Sequence, residues 1–176
     1  GKSGVEVGTQ KAWELCEKYK LPRMIYVSNM DVDQASFRQV VEDMTAMFGK
    51  KMAPFHLPIR ENEKFVGYIN VITESGNRWE GKEVVPCDVP DYSRANLQIC
   101  RDTLLEAVAE TSEEFMERYF GGETFSEAEI RAALRTNVCD GSIVPMTMGS
   151  NILCQGMYTL LDDLSLIHIS EPTRPY

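Results

Sequence analysis

The sequence predicts an α/β fold in which helices flank parallel strands and a long α+β segment separates two of those strands. The chain opens with a helical pattern, a short apolar run and a second helical pattern, the element order of layered α/β folds. The apolar run, residues 24–27, has the unbroken hydrophobicity of a strand buried on both faces. The next strand that could join the same sheet, residues 143–148, lies beyond the second helix and an inserted segment of roughly 90 residues, too long for a simple crossover.

The first part of the chain alternates helix, strand and helix. Residues 9–20 form the first predicted helix, and its apolar stripe consists of Ala12, Leu15, Cys16 and Tyr19. The second predicted helix starts near Asp33 and ends at Gly49. Its apolar residues recur at helical spacing and are Phe37, Val40, Val41, Met44 and Phe48.

The middle of the chain changes from strand-like to helical patterns. Apolar runs at 65–72 and 83–85, bounded by Pro, Gly and Asn, predict short strands between residues 53 and 87. A long helix is expected from about residue 92 to residue 120, where two glycines end it. This segment is therefore strand-rich first and helix-rich afterwards.

The last elements are a capped helix, a strand and a short helix. Ser126 and Glu129 have the spacing of a capping box. The apolar face of that helix consists of Ile130, Ala133 and Leu134. Residues 143–148 predict a strand, and since Pro145 cannot donate a ladder hydrogen bond, we expect it on an edge strand or at the strand start. A helix from about 156 to 161 follows.

Composition and charge exclude several classes of function. The chain has 18 basic and 27 acidic residues, a net charge of -9, which argues against a direct nucleic-acid site because such sites need clustered Lys and Arg. No apolar run reaches the length of about 18 residues that a membrane span needs, so no membrane association is expected. The five cysteines are widely spaced without a C-x-x-C pair, which favours reduced thiols in a cytoplasmic protein and predicts no metal site.

Two loops follow the carboxyl ends of the predicted parallel strands, where α/β folds bind ligands. They are residues 28–31 and residues 149–151. The ionised carboxylate of Asp31 accepts two hydrogen bonds, and guanine presents two adjacent donors, at ring N1 and the exocyclic amine. Adenine presents an acceptor at the same ring position, so Asp31 would select guanine. The tetrapeptide by itself, however, favours an aspartate that caps a turn before the helix.

Several longer stretches carry a resemblance to a known family. They are VEVGTQKAW at 5–13, LPI at 57–59, LLEAVAE at 104–110, YFGGE at 119–123, IVP at 143–145 and the pair Gly149-Ser150. Residues 27–31 stand in the place of an Asn-Lys-x-Asp guanine motif, and Ser28 precedes Ser150 by 122 positions. Over about residues 1–163 these features resemble elongation factor G, a family of translational GTPases.

The resemblance implies the C-terminal part of a P-loop GTPase domain, a parallel sheet with flanking helices, interrupted by an inserted α+β subdomain. Residues 1–52 would carry the guanine motif, and residues 53–140 would form the inserted subdomain. Residues 141–163 would supply the last core strand, the base loop and its helix. Residues 164–176 look like a translated sequencing adapter and are set aside as a fusion scar.

The resemblance places guanine-binding roles on five positions. Asp31 matches the base-reading aspartate of the family. Ser28 replaces an asparagine that bonds the base, and Asn29 replaces a lysine whose alkyl stem covers it. Ser150 matches the serine of the base loop, and Asn151 replaces an alanine that contributes its backbone N–H. These departures predict weaker nucleotide binding than in a housekeeping factor, as in a divergent paralogue.

The resemblance implies GTP or GDP as the ligand, with Mg²⁺ bound in the intact protein by residues outside this chain. GTP hydrolysis needs a P-loop, a Mg²⁺ ligand and a residue that positions water. The start of the chain, Gly1-Lys2-Ser3, has the last letters of a P-loop motif, but only 24 residues separate Ser3 from Ser28. That is too short for the intervening strands and switch loops, so we predict no catalytic residue here and expect the switch regions upstream.

Three functions remain open. In the first, the chain is part of a ribosome-associated GTPase that drives translocation, and residues 53–140 contact the ribosomal stalk protein, as the resemblance implies. In the second, it is a non-catalytic interaction module without nucleotide. In the third, it is an unrelated α/β domain, which loops at 28–31 and 149–151 lying apart would favour. Expressed alone, the chain is expected to be aggregation-prone, because its first strand would have an unpaired edge.

Overall fold

Two sheets organise the fold of the computed structural model, which describes residues 1–49, 52–81 and 83–167, with side chains to residue 165. The helices are α1 (Val7–Tyr19), α2 (Phe37–Phe48), α3 (Asp91–Ala109), α4 (Glu113–Phe120), α5 (Glu127–Cys139) and α6 (Met157–Ile167). The strands are β1 (Ile25–Val27), β2 (Met52–Pro54), β3 (His56–Glu61), β4 (Lys64–Asn70), β5 (Ser75–Glu80), β6 (Glu83–Cys87) and β7 (Val144–Met148).

The first sheet is parallel, with the strand order β1-β7-β2. Ile25 of β1 pairs with Met146, and Met52 of β2 pairs with Val144. The predicted mixed α/β architecture, a parallel sheet with helices around it, is therefore confirmed. Within the described residues, β7 is the neighbour of β1, which leaves the other edge of β1 unpaired.

Pro145 was expected on an edge strand or at a strand start. It is the second residue of β7, so it lies near the strand start, and β7 is the central strand of this sheet. It is aligned with Ala53 of β2, and the next residue, Met146, accepts a hydrogen bond from the Phe55 N–H on the β2 side. Because successive residues of a strand face opposite neighbours, the missing Pro145 N–H faces β1. The ladder of β1 begins only at Ile25, the partner of Met146, so the proline interrupts no pairing there.

The second sheet is an antiparallel meander in the order β3-β4-β5-β6. β3 and β4 are joined by a two-residue turn in which Asn62 and Glu63 have φ of 49° and 65°, the conformation that tight hairpins require. A row of rings crosses one face of this sheet. The Trp79 centroid lies 5.5 Å from that of Tyr68, which lies 4.9 Å from that of His56.

Phe55, the single residue between β2 and β3, joins the two sheets. Its N–H donates to the Met146 carbonyl in the first sheet, and its carbonyl accepts from the Val71 N–H after β4. One hydrophobic cluster includes residues of both sheets and of α2, α3 and α5. Its fully buried members include Phe55, Met44, Ile69, Leu104, Leu134 and Met146. β2 belongs to the parallel sheet, so the second sheet starts at residue 56.

The helix expected from 92 to 120 is two helices, α3 and α4, with a break at residues 110–112. Ser112 causes the break by capping α4, because its Oγ accepts from the Phe115 N–H at 3.2 Å. The capping box of Ser126 and Glu129 at the start of α5 is confirmed. The buried face of α5 is confirmed as well and includes Ile130, Ala133 and Leu134.

The apolar stripe predicted for α1 is largely exposed. Leu15 is 52% exposed and Tyr19 is 61% exposed. The main aromatic contact of the helix comes from a different residue, Trp13, whose ring stacks on Phe48 of α2 at a centroid distance of 4.2 Å. Helical spacing identified a face suited to burial, but nothing among the described residues covers that face.

α6 follows the second strand-end loop and is longer than the predicted helix at 156–161. Its last four residues, 164–167, belong to the segment attributed to an adapter, and residues 168–176 lie outside the described part of the chain. Within the described ranges, no helix combines the length and the apolar character that crossing a membrane would require.

Candidate functional site

The two predicted ligand loops meet at the carboxyl edge of the parallel sheet. The Met30 N–H donates to the Gly149 carbonyl at 3.1 Å, and the Gly149 N–H donates to the Val27 carbonyl at 3.0 Å. Residues 28–31 and 149–151 are thus brought together by backbone hydrogen bonds. This arrangement argues against an unrelated α/β domain, for which separated loops were the expected observation.

The first loop leaves its polar side chains without partners among the described residues. Asn29 is exposed and has φ of 58°, a left-handed conformation that asparagine tolerates well. Ser28 is half-buried, and its carbonyl accepts from the Gly1 amino group at 2.6 Å. The Ser28 hydroxyl and the Asn29 amide therefore have no hydrogen-bond partner among the described residues.

One carboxylate oxygen of the half-buried Asp31 is unsatisfied at the junction of the loops. Its Oδ1 is buried and has no hydrogen-bond partner among the described residues. The N-cap of the following helix is Ser36, whose Oγ accepts from the Gln39 N–H at 3.2 Å. Leaving a buried charged acceptor unsatisfied costs about 1–3 kcal/mol or more, so Asp31 is suited to a ligand that brings donors.

In the second loop, Ser150 shapes the backbone. It is fully buried, and its N–H and carbonyl exchange hydrogen bonds with Gln155 at 2.9 and 3.1 Å. Its Oγ accepts from the Leu153 N–H at 3.1 Å. The neighbouring Asn151 is exposed, and its N–H has no partner among the described residues. The group that this loop offers to a ligand is therefore the Asn151 N–H.

Close packing around Gly149 and Gly156 fixes the second loop. A Cβ at Gly149 would lie 2.2 Å from the Tyr26 hydroxyl oxygen and 2.3 Å from the Gln155 carbonyl oxygen. Gly156 has φ of +81°, and a Cβ there would lie 2.5 Å from the Met148 carbonyl oxygen. Tyr26 also donates to the Gln155 carbonyl at 3.4 Å, and burial raises the pKa of its phenol. Sequence reasoning missed Tyr26, which stood out only as part of an apolar strand.

A second missed residue, Arg60 of β3, contacts the first loop. Its Nη2 donates to the carbonyls of Met30 and Ala35, on either side of Asp31, at 2.9 and 2.8 Å. No local sequence signal marks this residue, because the contact joins positions 30 and 25 residues apart.

A buried pair joins the helix after the second loop to the second sheet. His56 Nδ1 of β3 lies 3.3 Å from Asp163 Oδ2 of α6, without the alignment of a hydrogen bond. The two residues are 2% and 6% exposed. Burial lowers the pKa of His56 to about 3. Burial raises the pKa of Asp163 to about 8, with a further increase from Asp162 and an opposing effect of Arg131.

Comparison with known proteins identifies relatives of this chain. No family model matches the chain. An elongation factor G-like protein from Thermotoga maritima is 31% identical over 173 residues, which are 98% of this chain and 25% of that protein. The crystal structure of a Thermus thermophilus protein is 32% identical with a TM-score of 0.87, covering 96% of this chain and 25% of that one.

The chain thus spans about a quarter of the length of both relatives. Both similarities extend over nearly the whole of this chain, across the two strand-end loops and the segment between them. The resemblance seen in the sequence is confirmed: this chain corresponds to a segment of an elongation factor G-like protein.

Proposed function

We propose that this chain is the guanine-recognition part of a cytoplasmic translational GTPase, and that Asp31 reads the base. The observation that carries this proposal is the buried Asp31 Oδ1, which lacks a donor among the described residues where the two strand-end loops meet. In the intact protein, guanine-nucleotide binding and hydrolysis would drive translocation on the ribosome, in keeping with the relatives that this chain matches.

The chemistry of the two loops matches a guanine base. The Asp31 carboxylate would accept from ring N1–H and from the exocyclic amine, and hydrogen bonds to a charged group contribute about 1.5–3 kcal/mol each. The free Asn151 N–H would donate to the carbonyl oxygen of the base. Adenine would place an acceptor against the Asp31 carboxylate, which repels it. Ser150 would contribute by holding the loop that presents Asn151.

In the intact protein, phosphate and Mg²⁺ would be bound by residues other than those of the two loops. Mg²⁺ would neutralise the phosphate charge that develops during hydrolysis. Among the described residues, no three His, Cys, Asp or Glu side chains are grouped so as to hold a metal ion. The two hydrogen bonds of the base to Asp31, at about 1.5–3 kcal/mol each, predict an affinity of the base for this chain on the order of millimolar, corresponding to about 4 kcal/mol.

For the segment between β2 and β7 we propose an inserted subdomain that binds the ribosomal stalk protein. The two strands that flank it pair with each other, so the segment interrupts neighbours of one sheet. α3 and α4 expose large apolar side chains, with Ile99 63% and Phe120 79% exposed. These exposed side chains also support the second candidate function, a non-catalytic interaction module, which is the better proposal if the chain does not bind guanine.

The deciding experiment exchanges the hydrogen-bonding character of Asp31. Amide NMR spectra of the chain would be titrated with GDP, ADP and xanthosine diphosphate. We expect GDP, and not ADP, to shift the resonances of 28–31 and 149–151. Asp31→Asn should weaken GDP binding about tenfold or more, the effect of losing at least 1.4 kcal/mol. It should also favour xanthosine diphosphate, whose carbonyl at position 2 accepts from the new amide.

Asp33→Asn is the matched control, because it removes the same charge from an exposed residue two positions away. It should leave the preference for GDP unchanged. Equal responses to GDP and ADP, or an Asp31→Asn variant that binds GDP like the wild type, would show that Asp31 does not read the base.

A further inference from the structure

Arg60 belongs to the second sheet but is tied to the loop that carries Asp31. Its Nη2 donates to the Met30 carbonyl at 2.9 Å and to the Ala35 carbonyl at 2.8 Å. Met30 immediately precedes Asp31, and Ala35 immediately precedes the N-cap of α2. One guanidinium nitrogen therefore holds both ends of the segment that contains the base-reading carboxylate.

The rest of the Arg60 side chain is fixed by its own sheet. Its Nη1 donates to the Glu63 carbonyl in the turn between β3 and β4 at 2.8 Å. A guanidinium is a rigid planar fork, so fixing Nη1 also fixes the direction of Nη2. The position of the Asp31 loop is thus fixed relative to the β3–β4 hairpin.

The backbone of Arg60 contacts α3 from the outer edge of β3, which is an edge strand of the second sheet. Arg60 pairs with Phe65 of β4, and the register shifts between Ile59 and Arg60 because β4 holds one extra residue there, Val66. The Arg60 N–H donates to the Tyr92 hydroxyl at 3.1 Å, and that hydroxyl donates to the Arg60 carbonyl at 2.9 Å. Tyr92 lies in the first turn of α3, so Arg60 is also connected to that helix.

We propose that Arg60 is a positioning residue for guanine recognition, which holds the Asp31 loop in its base-binding shape and links that shape to the second sheet and α3. This inference rests on the function proposed above. The link acts in both directions: a partner that displaces α3 or the β3–β4 hairpin loosens the Asp31 loop, and a bound base makes that hairpin more rigid.

The test removes the donors of Arg60 without removing its bulk. Arg60→Met keeps the length and the apolar stem, and Arg60→Lys keeps the charge but loses the fork. Arg78→Met is the matched control, because Arg78 lies in the same sheet and its side chain pairs with Glu61. Amide hydrogen exchange of residues 28–36 is measured without nucleotide, and GDP and ADP titrations then measure base selection.

In Arg60→Met we expect exchange in 28–36 to accelerate about tenfold, with exchange in β4 and β5 unchanged, which shows that the fold is kept. The preference for GDP over ADP should fall by a similar factor. Arg60→Lys should recover part of both effects, because an ammonium can still donate to one carbonyl. Arg78→Met should resemble the wild type in both measurements.

Three results would overturn the inference. If amide exchange of residues 28–36 is unchanged in Arg60→Met, the Arg60 contacts do not hold the loop, whatever happens to nucleotide binding. Faster exchange with an unchanged preference for GDP shows that the tie has no role in recognition. A wild-type chain that does not respond to GDP refutes the proposed function, and the wild-type titration identifies that failure separately from the other two.

Discussion

The buried pair of His56 and Asp163 should make the chain less stable as the pH rises from about 6.5 to about 8. The folded chain keeps a proton on Asp163 up to about pH 8, whereas the unfolded carboxyl releases it near 3.8. This contribution to stability is fully present below pH 3.8 and is lost as the pH rises towards 8. His56 acts in the opposite sense, because its pKa falls from 6.5 to about 3 and its contribution is lost as the pH falls.

The two effects define the window and the magnitude. Between pH 3.8 and 6.5 the folded chain holds one proton on Asp163 and the unfolded chain holds one on His56, so the slopes cancel. Above pH 6.5 the unfolded chain has released its proton, and only Asp163 contributes. Each pH unit then lowers the free energy of unfolding by about 1.36 kcal/mol, so the loss between about pH 6.5 and about pH 8 is about 2 kcal/mol.

Urea unfolding, followed by circular dichroism at dilute protein and at several pH values between about 6.5 and about 8, measures this slope. Asp163→Asn keeps the size of the side chain and should abolish the dependence. Asp162→Asn is the control, since Asp162 is exposed and only adds to the shift of Asp163, so most of the slope should remain. A wild-type stability that is flat or rises over this window, or an equal slope in Asp163→Asn, would refute the reasoning.

Two further predictions concern the loops and the sheet edge. Gly149→Ala should destabilise the chain by about 1–3 kcal/mol in thermal melts, because the new methyl group overlaps the Tyr26 hydroxyl and the Gln155 carbonyl. Gly8→Ala in α1, where a Cβ meets nothing within 4 Å, should be neutral or slightly stabilising, and equal effects of the two would contradict the argument. The isolated chain should also self-associate, because β1 has an edge unpaired within the described residues and Leu15 and Tyr19 are exposed. Light scattering should show an apparent molecular mass that increases with protein concentration and is lower for Leu15→Lys than for the wild type. A monomer with a sharp cooperative melt would contradict this prediction.

Local signals in the sequence predicted much of the fold. The capping box of Ser126 and Glu129 and the period of α2 depend on residues within a few positions of each other, and both appear in the structure as expected. The first strand-end loop was located from the unbroken apolar run at residues 24–27. The expected burial of that strand on both faces is wrong, because β1 is an edge strand of the described sheet and its Ile25 and Tyr26 are only half-buried. The assignment of Asp31 to guanine stays a prediction, and so does its alternative role of capping the turn before α2.

The remaining features depend on contacts between distant parts of the chain. Helical periodicity runs through residues 110–112, and only the competing cap of Ser112 divides α3 from α4. The contacts of Arg60 with Met30 and of His56 with Asp163 join residues that no periodic pattern connects. The apolar stripe of α1 was predicted from local spacing but is largely exposed. A helical pattern identifies a face that can be buried, but it does not identify the residues that would cover that face.

The join at Phe55 also has a mechanical meaning. Its backbone groups are bonded on both sides, to the parallel sheet and to the end of β4, so no flexible tether separates the two sheets. The second sheet is therefore attached rigidly to the first sheet at Phe55 and extends away from it. With strands about 4.8 Å apart, β6 stands roughly 14 Å from β3. We expect a force on β6 to rotate the second sheet as a unit, because its strands are hydrogen-bonded to one another. The rotation would act on β3, where Arg60 contacts the Asp31 loop.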